Sequence, residues 1–392
     1  MDISVLVVGS GMYVSGRGTA GYGTILPAIS TFQKSTNRIS KLFVVGTNVQ
    51  RTKEAEIKSQ QLSELTDVQL PIQFVPKEKD SIETYLNILQ KIELPGCAIV
   101  AVPDHLHFEV TNECLKKGLH TLVVKPLTPL AHQAKGLIDL SKKKNLYGVV
   151  EFHKRWDRQN LILREEFQNG NLGLPLYTWT EYSQRKSIPI QNFQAWVEKS
   201  SILQYLGVHY LDIIRFVTEA VPIRVMATGQ KVWLKEQGMN VFDAIQCTVE
   251  WKSLSGNIFN QTLLLNWVDP ETSSAMSDQK IKFVGTLGRY EGDQKERGIR
   301  LLYDFQKMEE PNPDFCRLYK KNDKTLDWEG YGINSITTFL DDVCKISENK
   351  IQPAQFEGKR PTFSEAFYST AVIEAAHKSL QNHSSWQKVA SL

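Results

Sequence analysis

No apolar run in this sequence approaches the ~18 consecutive residues that span a membrane, and Met1 passes through Asp2 into an apolar strand with no basic segment ahead of it. Neither export nor membrane insertion is expected, and the expected location is the cytoplasm. Cysteine is also sparse. Cys97, Cys114, Cys247, Cys316 and Cys344 are odd in number, far apart and without a C-x-x-C pair. That excludes a disulfide framework or a zinc cluster, so reduced thiols and no metal site are expected. An excess of one charge is missing too. Lys+Arg 46 against Asp+Glu 43 leaves +3, with the signs interspersed, so neither nucleic acid nor a membrane surface is expected as a partner. Repeats and low-complexity stretches are absent. Small-molecule chemistry remains.

At 392 residues the chain exceeds the roughly 250–300 over which one hydrophobic core keeps growing, so two domains are expected. Ile3–Val8 is a short β-branched run ending in Gly9, the pattern of a fully buried parallel strand. Helical patterns at 24–34, 53–65, 81–91, 107–117 and 130–143 then alternate with strand patterns at 41–45, 72–75, 98–102, 121–124 and 147–152. Strict alternation predicts an α/β Rossmann domain, a doubly wound parallel sheet, over residues 1–152. From 153 to 392 the order changes. Helical stretches at 158–168 and 202–217 precede strand-like runs at 223–227, 244–250, 256–265 and 280–284, an α+β domain with a large, mostly antiparallel sheet. Two more helices close the chain. The second opens at Pro361-Thr362 with Glu365 three residues on, a capping signature. The polar stretch 309–324 reads as a loop.

The first strand runs into Gly9-Ser10-Gly11, where backbone turns tightly and side chains would block the approach of a pyrophosphate to a helix N-terminus. Gly9, Gly11, Met12 and Tyr13 are therefore candidate dinucleotide contacts. The third glycine of the usual spacing is absent. A second glycine cluster follows at 16–23, and Gly16 to Gly21 itself fits G-x-G-x-x-G without a strand directly before it. We read Gly9 and Gly11 as the turn and 16–23 as an insertion. At the end of the second strand an acidic residue would bind the ribose 2′-hydroxyl of NAD(H), and a basic one the 2′-phosphate of NADP(H). Thr47, Asn48 and Arg51 stand there without a carboxylate between 45 and 51. The cofactor is NAD(H) or NADP(H), with the balance toward NADP(H), unless Arg51 is simply a solvated helix residue.

Three segments in series resemble the glucose-fructose oxidoreductase/inositol dehydrogenase (Gfo/Idh/MocA) family: Val102-Pro103-Asp104-His105-Leu106-His107, then Gly118 to Leu127 with Val124-Lys125-Pro126, then Gly207-Val208-His209-Tyr210-Leu211-Asp212. The resemblance implies that Pro103, His105, His107, Lys125 and Pro126 lie beside the nicotinamide. It implies that Lys125 and His209 are the catalytic pair, with Asp212 orienting the histidine. Pro126 restricts Lys125 to extended backbone at a strand end, where such sheets bind ligands. Two positions depart from the family: its glutamate before the lysine is Val124, and Tyr205 replaces an aspartate four residues before the histidine. Tyr205, His209, Asp212 and Phe216 share a helix face by spacing. The ordinary alternative is a core histidine bonded to Asp212. Lys154, Arg155, Tyr182, Arg185, Trp196 and Tyr205 are further candidate substrate contacts. A solvated linker at 154–155 and a core Trp196 are their plain alternatives.

By resemblance the function is hydride transfer between NAD(P) and a secondary alcohol or ketone of a sugar, aminosugar or cyclitol, in a homodimer or homotetramer. A non-catalytic NAD(P)-binding sensor, and transient oxidation in the service of elimination or hydrolysis, are the alternatives.

Overall fold

The computed structural model describes residues 1–321 and 325–392, so the last three residues of the expected 309–324 loop lie outside the described residues. The chain forms two compact units. Unit 1 holds 1–127, 132–156 and 314–366; unit 2 holds 128–131, 157–313 and 367–392.

In unit 1, β1 (Ile3–Val8), β2 (Ile39–Val45), β3 (Ile72–Val75), β4 (Gly96–Val100), β5 (His120–Val124) and β6 (Gly148–Glu151) form one parallel sheet of order β3-β2-β1-β4-β5-β6. Every residue of β1, β4 and β6 is buried, which is why they read as unbroken apolar runs rather than alternations. Six helices lie between the strands: α1 (Met12–Ser15), α2 (Ile25–Thr36), α3 (Val49–Thr66), α4 (Thr84–Lys91), α5 (His107–Lys117) and α6 (Ala131–Lys143). The sheet order reverses between β1 and β4, the switch point at which open α/β sheets bind ligands.

In unit 2, α7 (Arg158–Gln168), β7 (Pro175–Arg185), α8 (Val208–Thr218), β8 (Val221–Gln230), the short α9 (Trp233–Glu236), β9 (Ala244–Lys252), β10 (Ile258–Asp269), β11 (Ser277–Gly285) and β12 (Arg289–Asp293) follow in order. With the terminal β15 (Gln387–Lys388), the strands make a sheet of order β12-β11-β7-β10-β9-β8-β15, antiparallel except for the β7/β10 pair. Strict in-out alternation buries Phe259, Leu263, Leu265 and Trp267 of β10, and leaves Thr262, Leu264 and Asn266 half-buried on the other face.

The sequence reading put everything beyond 152 in the second domain. Residues 314–366 instead belong to unit 1. They begin with an antiparallel pair, β13 (Arg317–Lys320) inside the expected loop and β14 (Leu326–Glu329) just beyond it; these strands are too short and polar to announce themselves. Next comes α10 (Tyr331–Ser347), whose Ile333, Ile336, Phe339, Leu340 and Val343 join the core of β1 and α2. Each buried side chain of this kind contributes about 1.5–3 kcal/mol. Asp342 in this helix is 1% exposed; it accepts from Arg360 Nε at 2.7 Å and from the Tyr147 hydroxyl at 3.0 Å. The chain then enters α11 (Phe363–Gln381). Glu365 N lies 3.4 Å from Thr362 Oγ1, as the capping signature implies.

Candidate functional site

At its first position the glycine turn needs backbone that only glycine supplies. Gly9 has φ +125°, its N–H donates to Val45 O at 2.8 Å, and a Cβ on it would lie 2.2 Å from Ala101 O. Gly11 begins α1, and a Cβ there would meet nothing within 4 Å. A close-packed floor under an open approach, next to a helix start, fits a dinucleotide pyrophosphate. The second glycine cluster is folded on itself. Gly16 and Gly23 have φ +73° and +74°, and a Cβ at Gly16 would strike Gly21 O at 2.1 Å. It divides α1 from α2, so the insertion reading describes its place. Met12 and Tyr13 lie on α1, both half-buried.

At the end of β2, Thr47 and Arg51 are exposed. Asn48 caps α3: its Oδ1 accepts from Arg51 N at 2.9 Å and its Nδ2 donates to Asp80 at 2.6 Å. Asp80 also accepts from Val49 N at 2.7 Å. The carboxylate that 45–51 lacks is thus brought by the segment after β3, from about thirty positions away, where no local signal announced it. Arg17 is a second residue the sequence reading passed over. From the glycine insertion its Nε donates to Ser10 O at 3.3 Å, and its guanidinium lies 3.8 Å from Glu54.

Lys125 follows β5, half-buried, and Lys125–Pro126 is cis. His107 braces this bond: Nδ1 lies 2.6 Å from Pro126 O and Nε2 2.9 Å from Val102 O. Both ring nitrogens of His107 are therefore committed within the protein. Pro103 and His105 lie half-buried in the turn after β4. Burial lowers the Lys125 pKa to about 8, opposed by the carboxylates of Asp104 and Glu151. Glu151, 1% exposed at the end of β6, accepts from Ser335 Oγ at 2.7 Å and from His153 Nδ1 at 2.9 Å. The Tyr13 hydroxyl bonds it as well, and burial, then this carboxylate, raises the phenol pKa. One glutamate closing an apolar strand was the visible signal for this cluster. Lys154 and Arg155 form a 3-10 turn and are 2% and 5% exposed, which removes the solvated-linker alternative; Arg155 lies 3.9 Å from Glu365.

In unit 2, His209 and Asp212 lie on α8, 4% and 2% exposed. Gly207, just before the helix, permits close packing: a Cβ there would lie 2.9 Å from Leu265 Cδ1 of β10. Gln261 Nε2 ties Tyr210 O to the sheet at 3.0 Å. The preceding turn, Leu203–Gly207, is π-helical rather than α-helical, so Tyr205 is not in α register with His209. Tyr205 is half-buried and packs edge-on against Phe193 at 4.5 Å, with Trp196 6.4 Å away. Trp196 is half-buried against Phe193 at 4.6 Å. Tyr182 is 6% exposed and packs against Tyr210 in the layer between sheet and helix, and Arg185 donates to Ser273 O at 2.5 Å. Both thus have partners within their own unit.

The class defined here is a chain with a dinucleotide-binding Rossmann unit and a second unit built on a mostly antiparallel sheet. Residues 3–152 match the family model "Oxidoreductase family, NAD-binding Rossmann fold", and residues 161–291 match "GFO/IDH/MocA C-terminal domain". The chain belongs to the Gfo/Idh/MocA family. An uncharacterized oxidoreductase of Schizosaccharomyces pombe is 40% identical over 75 residues, 19% of this chain and 20% of that protein's length. The myo-inositol 2-dehydrogenase of Thermotoga maritima is 24% identical over 245 residues, 58% of this chain and 70% of its own. Among solved structures, an inositol dehydrogenase homolog of Azotobacter vinelandii, complexed with NADH and myo-inositol, gives a TM-score of 0.69 at 16% identity, covering 99% of this chain and 98% of that one. That likeness is one of fold.

Proposed function

We propose that the protein is an NAD(P)-dependent oxidoreductase acting on a secondary alcohol of a polyol or sugar. The observation that carries this reading is the turn at Gly9, which only glycine can form, and Gly11 beside it, at the end of one strand of the parallel sheet that also ends at Lys125. Gly9 and Lys125 each follow the end of a strand, and β4 lies between those two strands, so they start about 10 Å apart. The relatives' names, myo-inositol 2-dehydrogenase among them, support a polyol.

In this reading Gly9 and Gly11 hold the pyrophosphate, and the nicotinamide, when bound, takes or gives the hydride. Lys125 hydrogen-bonds the reacting oxygen through its ammonium, and His209 takes the hydroxyl proton. Asp212 orients the imidazole. A placed base contributes roughly 10²–10⁴ in rate. NADP(H) is the proposed form. Arg51 and Arg17 offer guanidinium groups by the end of β2, and both Asp80 oxygens are already engaged. The test is a panel of polyols and sugars with NAD+ and NADP+, followed by the absorbance of reduced nicotinamide. Formation with a panel member supports the reading, and binding of cofactor without turnover of any member opposes it.

A further inference from the structure

Lys125 sits between Val124 and Pro126, so its own segment offers the ammonium no counter-charge. A half-buried ammonium without one is strongly disfavoured. Its counter-charge comes from other elements, Asp104 first and then Glu151, and the strand register sets Glu151 of β6 beside Val124 of β5. Glu151 is buried and fixed by three donors, each from a different element: Ser335 of α10, His153 of the turn after β6 and Tyr13 of α1. His153 is held in turn by Tyr331, stacked at 5.6 Å, and by Phe315 at 5.2 Å. The other carboxylate acting on Lys125 is Asp104, from the turn after β4.

We propose that Glu151 is a positioning residue for Lys125: across the strand pair it supplies the carboxylate that position 124 lacks, and it links the lysine to Tyr13 beside the glycine turn. This rests on Lys125 being the site lysine. The device explains why a valine is tolerated at 124, since the negative charge has moved one strand over. It also explains why a glutamate ends an otherwise apolar strand at the sheet's edge. The direction of its effect on the ammonium is favourable, since an opposite charge nearby favours the charged form.

The test reads Lys125 directly. The full chain is labelled with 13C-lysine, the Lys125 ε-carbon signal is identified by its loss in Lys125→Met, and its titration is followed in wild type, Glu151→Gln and Val124→Glu/Glu151→Gln. The glutamine variant is expected to lower the midpoint by about one unit, a tenfold fall in the ratio of ammonium to amine at fixed pH. The double variant, with the carboxylate returned to the lysine's own strand, is expected to move it back. Ser335→Ala, which removes a donor but no charge, leaves the midpoint near wild type if the charge is what acts. Should Glu151→Gln not fold, Glu151→Asp is read instead, and its withdrawn carboxylate lowers the midpoint by a smaller step. An unchanged midpoint in the folded glutamine variant, or in the aspartate variant read in its place, overturns the proposal. The titration needs no substrate, so it stays readable even if no polyol is turned over and the proposed activity fails.

Discussion

Lys125 carries the sharpest expectation at the scale of single residues. Its ammonium is present below a pKa lowered by burial to about 8 and is lost as pH rises through it. If the ammonium bonds the reacting oxygen, kcat/KM declines above that pH, and the decline is absent in Lys125→Met. That variant and His209→Ala are expected to bind dinucleotide as wild type does, while kcat/KM falls roughly 10²–10⁴-fold. Gly9→Ala behaves differently. It sets a Cβ 2.2 Å from Ala101 O at φ +125°, so dinucleotide affinity and thermal stability both drop, read by fluorescence titration and by melting. Gly9 could be proposed from a glycine spacing after a strand, and Lys125 and His209 from segments that resemble the family's. Asp80 and Arg17 could not, because their partners lie on other elements and only the folded chain brings them together.

At the scale of elements, β1, β4 and β6 were readable from the composition of fully buried runs, and α3 shows how boundaries slip. Its helix starts at Val49, four residues ahead of the expected 53, because the Asn48 side chain caps it. Asn48→Ala is expected to cost about 1 kcal/mol in a denaturant titration. The turn Leu203–Gly207 escaped the 3.6-residue pattern because a π-helical turn has a different period. Periodicity therefore put Tyr205 in the stripe of His209, whereas it packs in an aromatic cluster with Phe193. The anchor of α10 is testable too. Asp342→Ala leaves Arg360 without its carboxylate and is expected to cost about 3 kcal/mol, the lower end for a broken buried pair because Arg360 keeps some exposure.

At the scale of the molecule, alternation of strands and helices sufficed to read the Rossmann unit, and the change of pattern beyond it sufficed for a second sheet. The return of 314–366 to unit 1 was not readable, since an apolar helix face in the sequence does not say which core it joins. Cofactor choice belongs to this scale as well, because the groups at the end of β2 come from three separate segments. NADPH is expected to bind more tightly than NADH in a fluorescence titration, and tighter NADH binding would reverse that assignment.

The central claim is that this chain moves hydride between NAD(P) and a polyol or sugar hydroxyl using Lys125 and His209. The most direct measurement follows reduced nicotinamide over a polyol and sugar panel with wild type, Lys125→Met and His209→Ala, each first shown to bind the dinucleotide. The account predicts turnover by wild type on at least one member and its near loss in both variants. Equal turnover in the variants, or cofactor binding with no reaction on any member, would contradict it.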